Sequence, residues 1–79
     1  MDVPAITALV RELFLQNDPA IPLSPGDDLL RMGVCDSLGL VQLATELERR
    51  LPGLRVHDAE VTAENLGSIG RISEFLGRK

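Results

Sequence analysis

The sequence predicts an all-α fold: a small bundle of three main helices plus one short helix. In three segments apolar residues recur every three or four positions, which is the spacing of one helix face. No segment alternates apolar and polar residues as a half-buried strand would. A chain of 79 residues hides only about 60% of the surface that its unfolded form exposes, enough for one core. We therefore expect a single domain over residues 1–79.

The first helix is expected near the start of the chain. Asp2 can cap it, and Pro4 fits its first turn because a helix leaves the first backbone N–H groups unpaired. Prolines and a glycine then predict a loop over residues 16–27, where Ile21 and Leu23 are expected to wrap the core. The inward stripe of this helix is Ile6, Leu9, Val10, Leu13 and Phe14.

The second helix is expected to begin after Asp36 as N-cap and to run from Ser37 to about Leu51, before Pro52 stops it. Two apolar residues, Leu38 and Val41, fall outside its inward stripe, so they have no core to enter. The inward stripe is Leu40, Leu43, Ala44, Leu47 and Leu51.

The last part of the chain predicts two more helices. The run VTAENL favours a short helical turn capped by Thr62, and Ser68 can cap a final helix that ends at about Leu76. The residues expected to face inward from the final helix are Ile69, Ile72, Phe75 and Leu76.

Composition argues against several functions. The net charge is −4, which repels phosphate backbones, and the only aromatic residues are two phenylalanines, so we expect no nucleic-acid partner. A single cysteine, Cys35, and a single histidine, His57, cannot form an internal disulfide or, alone, a metal site. The first residues have neither a basic region nor a clean apolar run. We expect no signal peptide, no membrane span, a cytoplasmic location and a monomer.

Ser37 has three interpretations. It can be an ordinary residue in the first turn of a helix. It can be a nucleophile, which needs a histidine as base and an acid that orients this histidine. The sequence supplies only His57 and Asp58 for these roles, and no GxSxG motif surrounds Ser37. It can also be an attachment point, because backbone N–H groups and the macrodipole at a helix N-terminus favour a phosphate ester.

The stretch DSLGLVQLATELE, preceded by a loop and Gly33, resembles the modification site of acyl carrier proteins. In that family the serine of the D-S-L motif receives 4'-phosphopantetheine from coenzyme A. The resemblance implies that Ser37 carries this arm, that Asp36 helps the transferase that installs it, and that the domain is not an enzyme. The residues expected to bind partner enzymes are Leu38, Val41, Gln42, Glu46 and Glu48.

The sequence departs from carriers of fatty acid synthesis, which usually place one residue between the glycine and the aspartate. Here Val34 and Cys35 both stand there, and Arg49 and Arg50 interrupt the acidic second helix. The D-S-x-G-x-V-Q-L run is similar to D-alanyl carrier proteins, but Leu66 stands where those carriers usually have a tryptophan. The G-G-H-S run of peptidyl carrier domains is also missing.

We therefore expect a discrete acyl or aminoacyl carrier for polyketide, nonribosomal or other amino-acid-derived natural product biosynthesis, including antibiotics. The expected partners are a phosphopantetheinyl transferase, an adenylating ligase or acyltransferase that loads the cargo, and a downstream synthase or transferase. The alternatives are a carrier of primary fatty acid synthesis, a D-alanyl carrier, and a small helical interaction module without a prosthetic group.

Three other residue types have simpler interpretations. Cys35 is expected to be a small buried hydrophobe rather than a nucleophile, and His57 a solvated loop residue. Arg49 and Arg50 are expected to complement the negative C-terminal end of the second helix.

Overall fold

A computed structural model describes all residues, 1–79, and its architecture is all-helical. Three helices are long and one is short, as predicted, and no strand is present. A 3₁₀ turn lies between the second and third helices, in a stretch where the sequence predicts only a loop. In chain order the helices are α1 (Val3–Phe14), α2 (Ser37–Arg50), α3 (Ala63–Leu66) and α4 (Ile69–Gly77), and the 3₁₀ turn is Asp58–Glu60.

Every helix begins where its capping residue predicts. In each case the side-chain oxygen of the N-cap accepts a hydrogen bond from a backbone N–H in the first turn, which would otherwise lack a partner. The end of α2 is one residue earlier than expected, because Leu51 leaves helical geometry with φ −117° and ψ 93°. The four caps and their donors are Asp2 with Ala5, Asp36 with Gly39, Thr62 with Asn65, and Ser68 with Arg71.

One hydrophobic core joins the helices: α4 packs against α1 and α3, and α2 packs against the same two. The predicted stripes supply most of it. Leu13, Phe14, Leu51 and Leu76 lie at its edge, half-buried against the fully buried residues. The buried set is Ile6, Leu9, Val10, Leu29, Cys35, Leu40, Leu43, Ala44, Leu47, Leu66, Ile69, Ile72 and Phe75.

The long loop between α1 and α2 is fastened to the far side of the bundle through backbone atoms. The N–H of Leu29 donates to the carbonyl of Gly67 at 2.8 Å, and the N–H of Gly70 donates to the carbonyl of Pro25 at 2.8 Å. Of the two residues expected to wrap the core, Leu23 packs against it and Ile21 is half-buried. Leu29, which the periodicity does not single out, has no exposed surface, and Cys35 near the end of the loop is also buried.

The 3₁₀ turn is held by Glu60. Its carboxylate accepts the backbone N–H of His57 at 2.9 Å and pairs with Lys79 Nζ at 2.8 Å, so the end of the chain braces this turn. His57 itself is exposed, as expected. None of the helices combines the length and the apolar character needed to cross a membrane.

Candidate functional site

Ser37 is the first residue of α2, and its side chain is exposed. The carboxylate of Asp36 accepts the N–H of Gly39 at 2.9 Å, and the carbonyl of Asp36 accepts the N–H of Leu40 at 3.2 Å. The N–H groups of Ser37 and Leu38 have no partner within the chain and point out of the helix start. These free donors and the positive end of the helix dipole suit a phosphate ester on the Ser37 hydroxyl.

The loop before α2 sets the position of this serine. The N–H groups of Val34 and Cys35 both donate to the carbonyl of Leu29, at 2.9 and 3.3 Å, and Leu29 is itself buried in the core. Gly33 makes the turn possible with φ +75°, a conformation that residues with a Cβ atom rarely adopt. Asp36 and Ser37 therefore follow directly from an anchored segment.

The structure does not bring Ser37 together with His57. His57 lines a cavity with Leu51 and Leu76, at the C-terminal end of α2. The 14 residues of α2 span about 20 Å, and Ser37 lies at the other end. His57 is absent from the groove that Ser37 and Asp58 line, and no hydrogen bond joins it to Ser37, so the geometry does not supply the base that a nucleophilic serine needs.

Leu38 and Val41 form an exposed apolar surface beside Ser37. The exposed fraction of Leu38 is 73% and that of Val41 is 51%, the two largest values among the large hydrophobic residues of the chain. Gln42 and Thr45 continue the same side of α2, and both are exposed. Neither apolar side chain enters the core, as the helical spacing predicts.

Glu46 is held by arginines of its own helix. Its carboxylate pairs with Arg49 and with Arg50, and Arg50 also reaches Glu12 of α1 at 2.8 Å. Hydrogen bonds from these two guanidinium groups lower the pKa of Glu46 to about 2. The arginines at the end of α2 thus bind carboxylates, in addition to complementing the helix terminus as expected.

Glu48 is also used within the chain. Its carboxylate accepts the backbone N–H of Val56 at 2.9 Å and fixes the segment that follows α2. Both acids of α2 therefore have partners already, whereas Leu38, Val41 and Gln42 are free on the surface. Their roles in partner binding stay predictions.

An open groove of about 460 Å³ lies between α2 and the segment that includes the 3₁₀ turn. Ser37 and Val41 form part of one wall, and Asp58, Val61 and Thr62 form part of the other. Sequence reasoning missed this groove, because its walls come from segments about twenty residues apart and neither segment carries a local signal for it. An apolar surface therefore adjoins Ser37.

Cys35 is a core residue with only 9% of its surface exposed, as expected for a small hydrophobe. Burial raises the pKa of its thiol, and the nearby carboxylates of Asp36 and Asp28 raise it further. Because the thiolate is the reactive form, a raised pKa and burial together make this thiol a poor nucleophile.

Comparison with known proteins agrees with this geometry. Residues 4–76 match the PP-binding family, described as a phosphopantetheine attachment site. No curated protein and no solved structure matches the chain. The match covers both the helix that begins at Ser37 and the core that supports it, and the family resemblance of the sequence is confirmed. The chain belongs to the phosphopantetheine-binding carrier family, whose members bear a 4'-phosphopantetheine group and are carriers rather than enzymes.

Proposed function

We propose that Ser37 is the residue to which 4'-phosphopantetheine is attached. The observation that carries the proposal is the exposed hydroxyl of Ser37 beside two free backbone N–H groups at the start of α2. Ser68 also precedes a helix, but it is 6% exposed and its hydroxyl oxygen accepts the N–H of Arg71. Ser24 lies in the loop, and Ser73 is half-buried within α4.

We propose further that the chain carries an acyl or aminoacyl group. When bound, the prosthetic group supplies a thiol that holds a carboxylic acid as a thioester. The residues of the chain would hold and present this group: the free N–H groups of Ser37 and Leu38 would be available to its phosphate, and the Asp36 cap would fix the turn that bears it. Leu38 and Val41 offer apolar contact to a docked enzyme.

A dedicated natural product pathway is the context that we propose, whether polyketide, nonribosomal or otherwise derived from amino acids. Its support is the charge distribution on α2. Glu46 and Glu48 are engaged within the chain, so a basic docking surface built for an acidic helix finds few free carboxylates here. The proposed partners are a phosphopantetheinyl transferase, a loading ligase or acyltransferase, and a downstream synthase or transferase, in the reducing cytoplasm.

The attachment is tested by intact mass. The protein is incubated with coenzyme A and a broad-specificity phosphopantetheinyl transferase, and the expected result is the gain of one phosphopantetheine. Ser37→Ala should abolish the gain, and Ser73→Ala, which removes a half-buried hydroxyl of α4, should retain it. No gain, or a gain that survives Ser37→Ala, would contradict the proposal and favour an interaction module without a prosthetic group.

The pathway is tested by loading the modified protein. Candidate adenylating ligases, acyltransferases and the enzymes of fatty acid synthesis are each offered the same protein, and thioester formation is measured by intact mass. We expect a ligase or acyltransferase of a dedicated pathway to load it. Acceptance by the fatty acid enzymes alone would show that the proposed pathway is wrong.

A further inference from the structure

The groove beside Ser37 has one charged residue in its walls, and that residue is an acid. Apolar side chains form most of the lining, while Ser37, Asp58 and Thr62 provide the polar groups. No lysine, arginine or histidine reaches the groove. The groove is open to solvent, and its lining combines apolar side chains with a few polar groups, as the lining of small-molecule sites does.

The carboxylate of Asp58 has no partner in the structure. Asp36 uses its carboxylate to cap α2, and the carboxylate of Asp28 accepts the N–H groups of Leu30 and Arg31. Asp58 contributes only its backbone carbonyl, which accepts the N–H of Val61 at 3.1 Å. Its side chain is therefore a free hydrogen-bond acceptor and a free negative charge at the groove.

Thr62 adds a second polar group beside this acid. Its hydroxyl oxygen accepts the N–H of Asn65 at 3.2 Å as the cap of α3, and a hydroxyl that accepts one bond can still donate another. Val41 and Val61 add methyl groups to the lining of the same groove. The groove therefore matches a group that combines a cationic donor with a small apolar substituent.

We propose that the cargo is an α-aminoacyl group and that Asp58 binds its ammonium within this groove, while Val41 and Val61 contact its side chain. The inference rests on the proposed attachment at Ser37, which brings a long flexible arm to the edge of the groove. It decides between the acyl and aminoacyl cargoes that the proposed function leaves open. A cargo that ends in a carboxylate would be repelled by Asp58, and a neutral acyl group would gain no ion pair from this exposed carboxylate, which water solvates.

Three cargoes of nearly equal shape test the proposal. Alanyl, isobutyryl and methylmalonyl groups differ in one substituent, which is an ammonium, a methyl or a carboxylate. Each is joined to the arm by a stable amide and transferred to Ser37 from the matching coenzyme A analogue. NMR spectra at about pH 6.5, where the amine is mostly protonated, then measure contacts between the cargo methyl protons and the methyl groups of Val41 and Val61.

We expect the alanyl form to occupy the groove about two- to fivefold more than the isobutyryl form, because an exposed ion pair contributes little free energy. The methylmalonyl form should occupy the groove least. Asp58→Asn should remove the preference for alanyl. Glu74→Gln makes the same charge change at an exposed site on α4 and should preserve that preference. This control separates Asp58 from the general negative charge of the protein and from the phosphate of the arm.

Equal occupancy for alanyl and isobutyryl would overturn the proposal, and so would a preference for alanyl that survives Asp58→Asn. These outcomes differ from a failure of the proposed function, since the mass of the protein shows whether Ser37 received the arm. Absence of that mass gain would overturn both proposals together.

Discussion

Gly39 and Cys35 approach each other so closely that a Cβ atom on Gly39 would lie 2.6 Å from the Cβ atom of Cys35. The same added atom would lie 3.2 Å from the ring of Phe14. The first turn of α2 therefore packs directly on the residue before its cap and on the end of α1. Glycine at this position allows the start of the helix, where Ser37 stands, to sit against the core.

Gly39→Ala should destabilise the protein by about 1–3 kcal/mol, because the crowding outweighs the better helix propensity of alanine. Urea unfolding measures the change. Gly77→Ala is the matched control, since a Cβ atom at Gly77 would meet nothing within 4 Å. It should be neutral or slightly stabilising. A Gly39→Ala protein as stable as the parent would show that the first turn of α2 can move away from Cys35 at no cost.

Leu38→Asp and Val41→Asp should each slow modification by the transferase or loading by a partner enzyme, while helicity and melting temperature stay nearly unchanged. Both side chains are more than half exposed, so their loss removes a contact surface and leaves the core intact. Leu43→Ala provides the contrast: this residue is fully buried, and the variant should lose about 2–5 kcal/mol. Large unfolding effects at Leu38 or Val41 would place them in the core instead.

Two variants of Asp36 should separate its capping role from recognition of its charge. Asp36→Ala removes the acceptor for the Gly39 N–H and should cost about 1 kcal/mol in the free energy of unfolding. Asp36→Asn keeps a good cap and should be nearly as stable as the parent. We expect both variants to be modified more slowly, as measured by intact mass over time. Unimpaired modification of Asp36→Asn would show that the transferase does not need the charge.

Acid should break the ion pairs that Glu46 makes with Arg49 and Arg50 within α2. The pKa of Glu46 is lowered from 4.5 to about 2, so its ion pairs stabilise the fold fully above pH 4.5 and are lost as the pH falls towards 2. Glu46→Gln should therefore be less stable than the parent near neutral pH, and the difference should shrink through this window. Urea unfolding at several pH values measures it, with Glu74→Gln as the control. A constant difference would contradict the assigned ion pairs.

The Cys35 thiol should react slowly with iodoacetamide in the native protein at pH 8, and rapidly once urea unfolds the chain. Burial and the neighbouring carboxylates raise its pKa, which keeps the reactive thiolate scarce in the folded state. After modification with coenzyme A, rapid alkylation should add one group, on the arm. Fast alkylation of the native protein before that modification, seen by intact mass, would contradict the buried position of Cys35.

The helices were predictable because their signals are local. Asp36 is followed at once by the residues whose N–H groups it caps, and the stripe from Leu40 to Leu47 repeats within a single element. The exposed position of Leu38 follows from the same spacing. The match to the family spans residues 4–76, which include the start of α2 at Ser37.

The rest of the site depends on residues far apart in the chain, which no local pattern brings together. The sequence predicts that Glu48 is a free surface acid. In the fold the chain turns back after α2, and the carboxylate of Glu48 accepts the N–H of Val56. Arg50 meets Glu12 across 38 positions. The groove likewise forms only when Asp58 is folded against α2. The sequence therefore predicts Ser37 as the attachment residue, which stays a prediction, but it could not show the surroundings of that serine.

The two backbone hydrogen bonds that join the long loop to the α3–α4 junction, from Leu29 to Gly67 and from Gly70 to Pro25, have a consequence for delivery. They fix the proposed attachment point relative to the bundle, so the length of the arm sets the largest volume that a tethered thioester can explore. A short flexible tether gives a local concentration on the order of millimolar at a docked enzyme. The distance at which the thioester can be delivered would then be the same for every partner enzyme. Selection among these enzymes would depend on how well each one docks on the carrier.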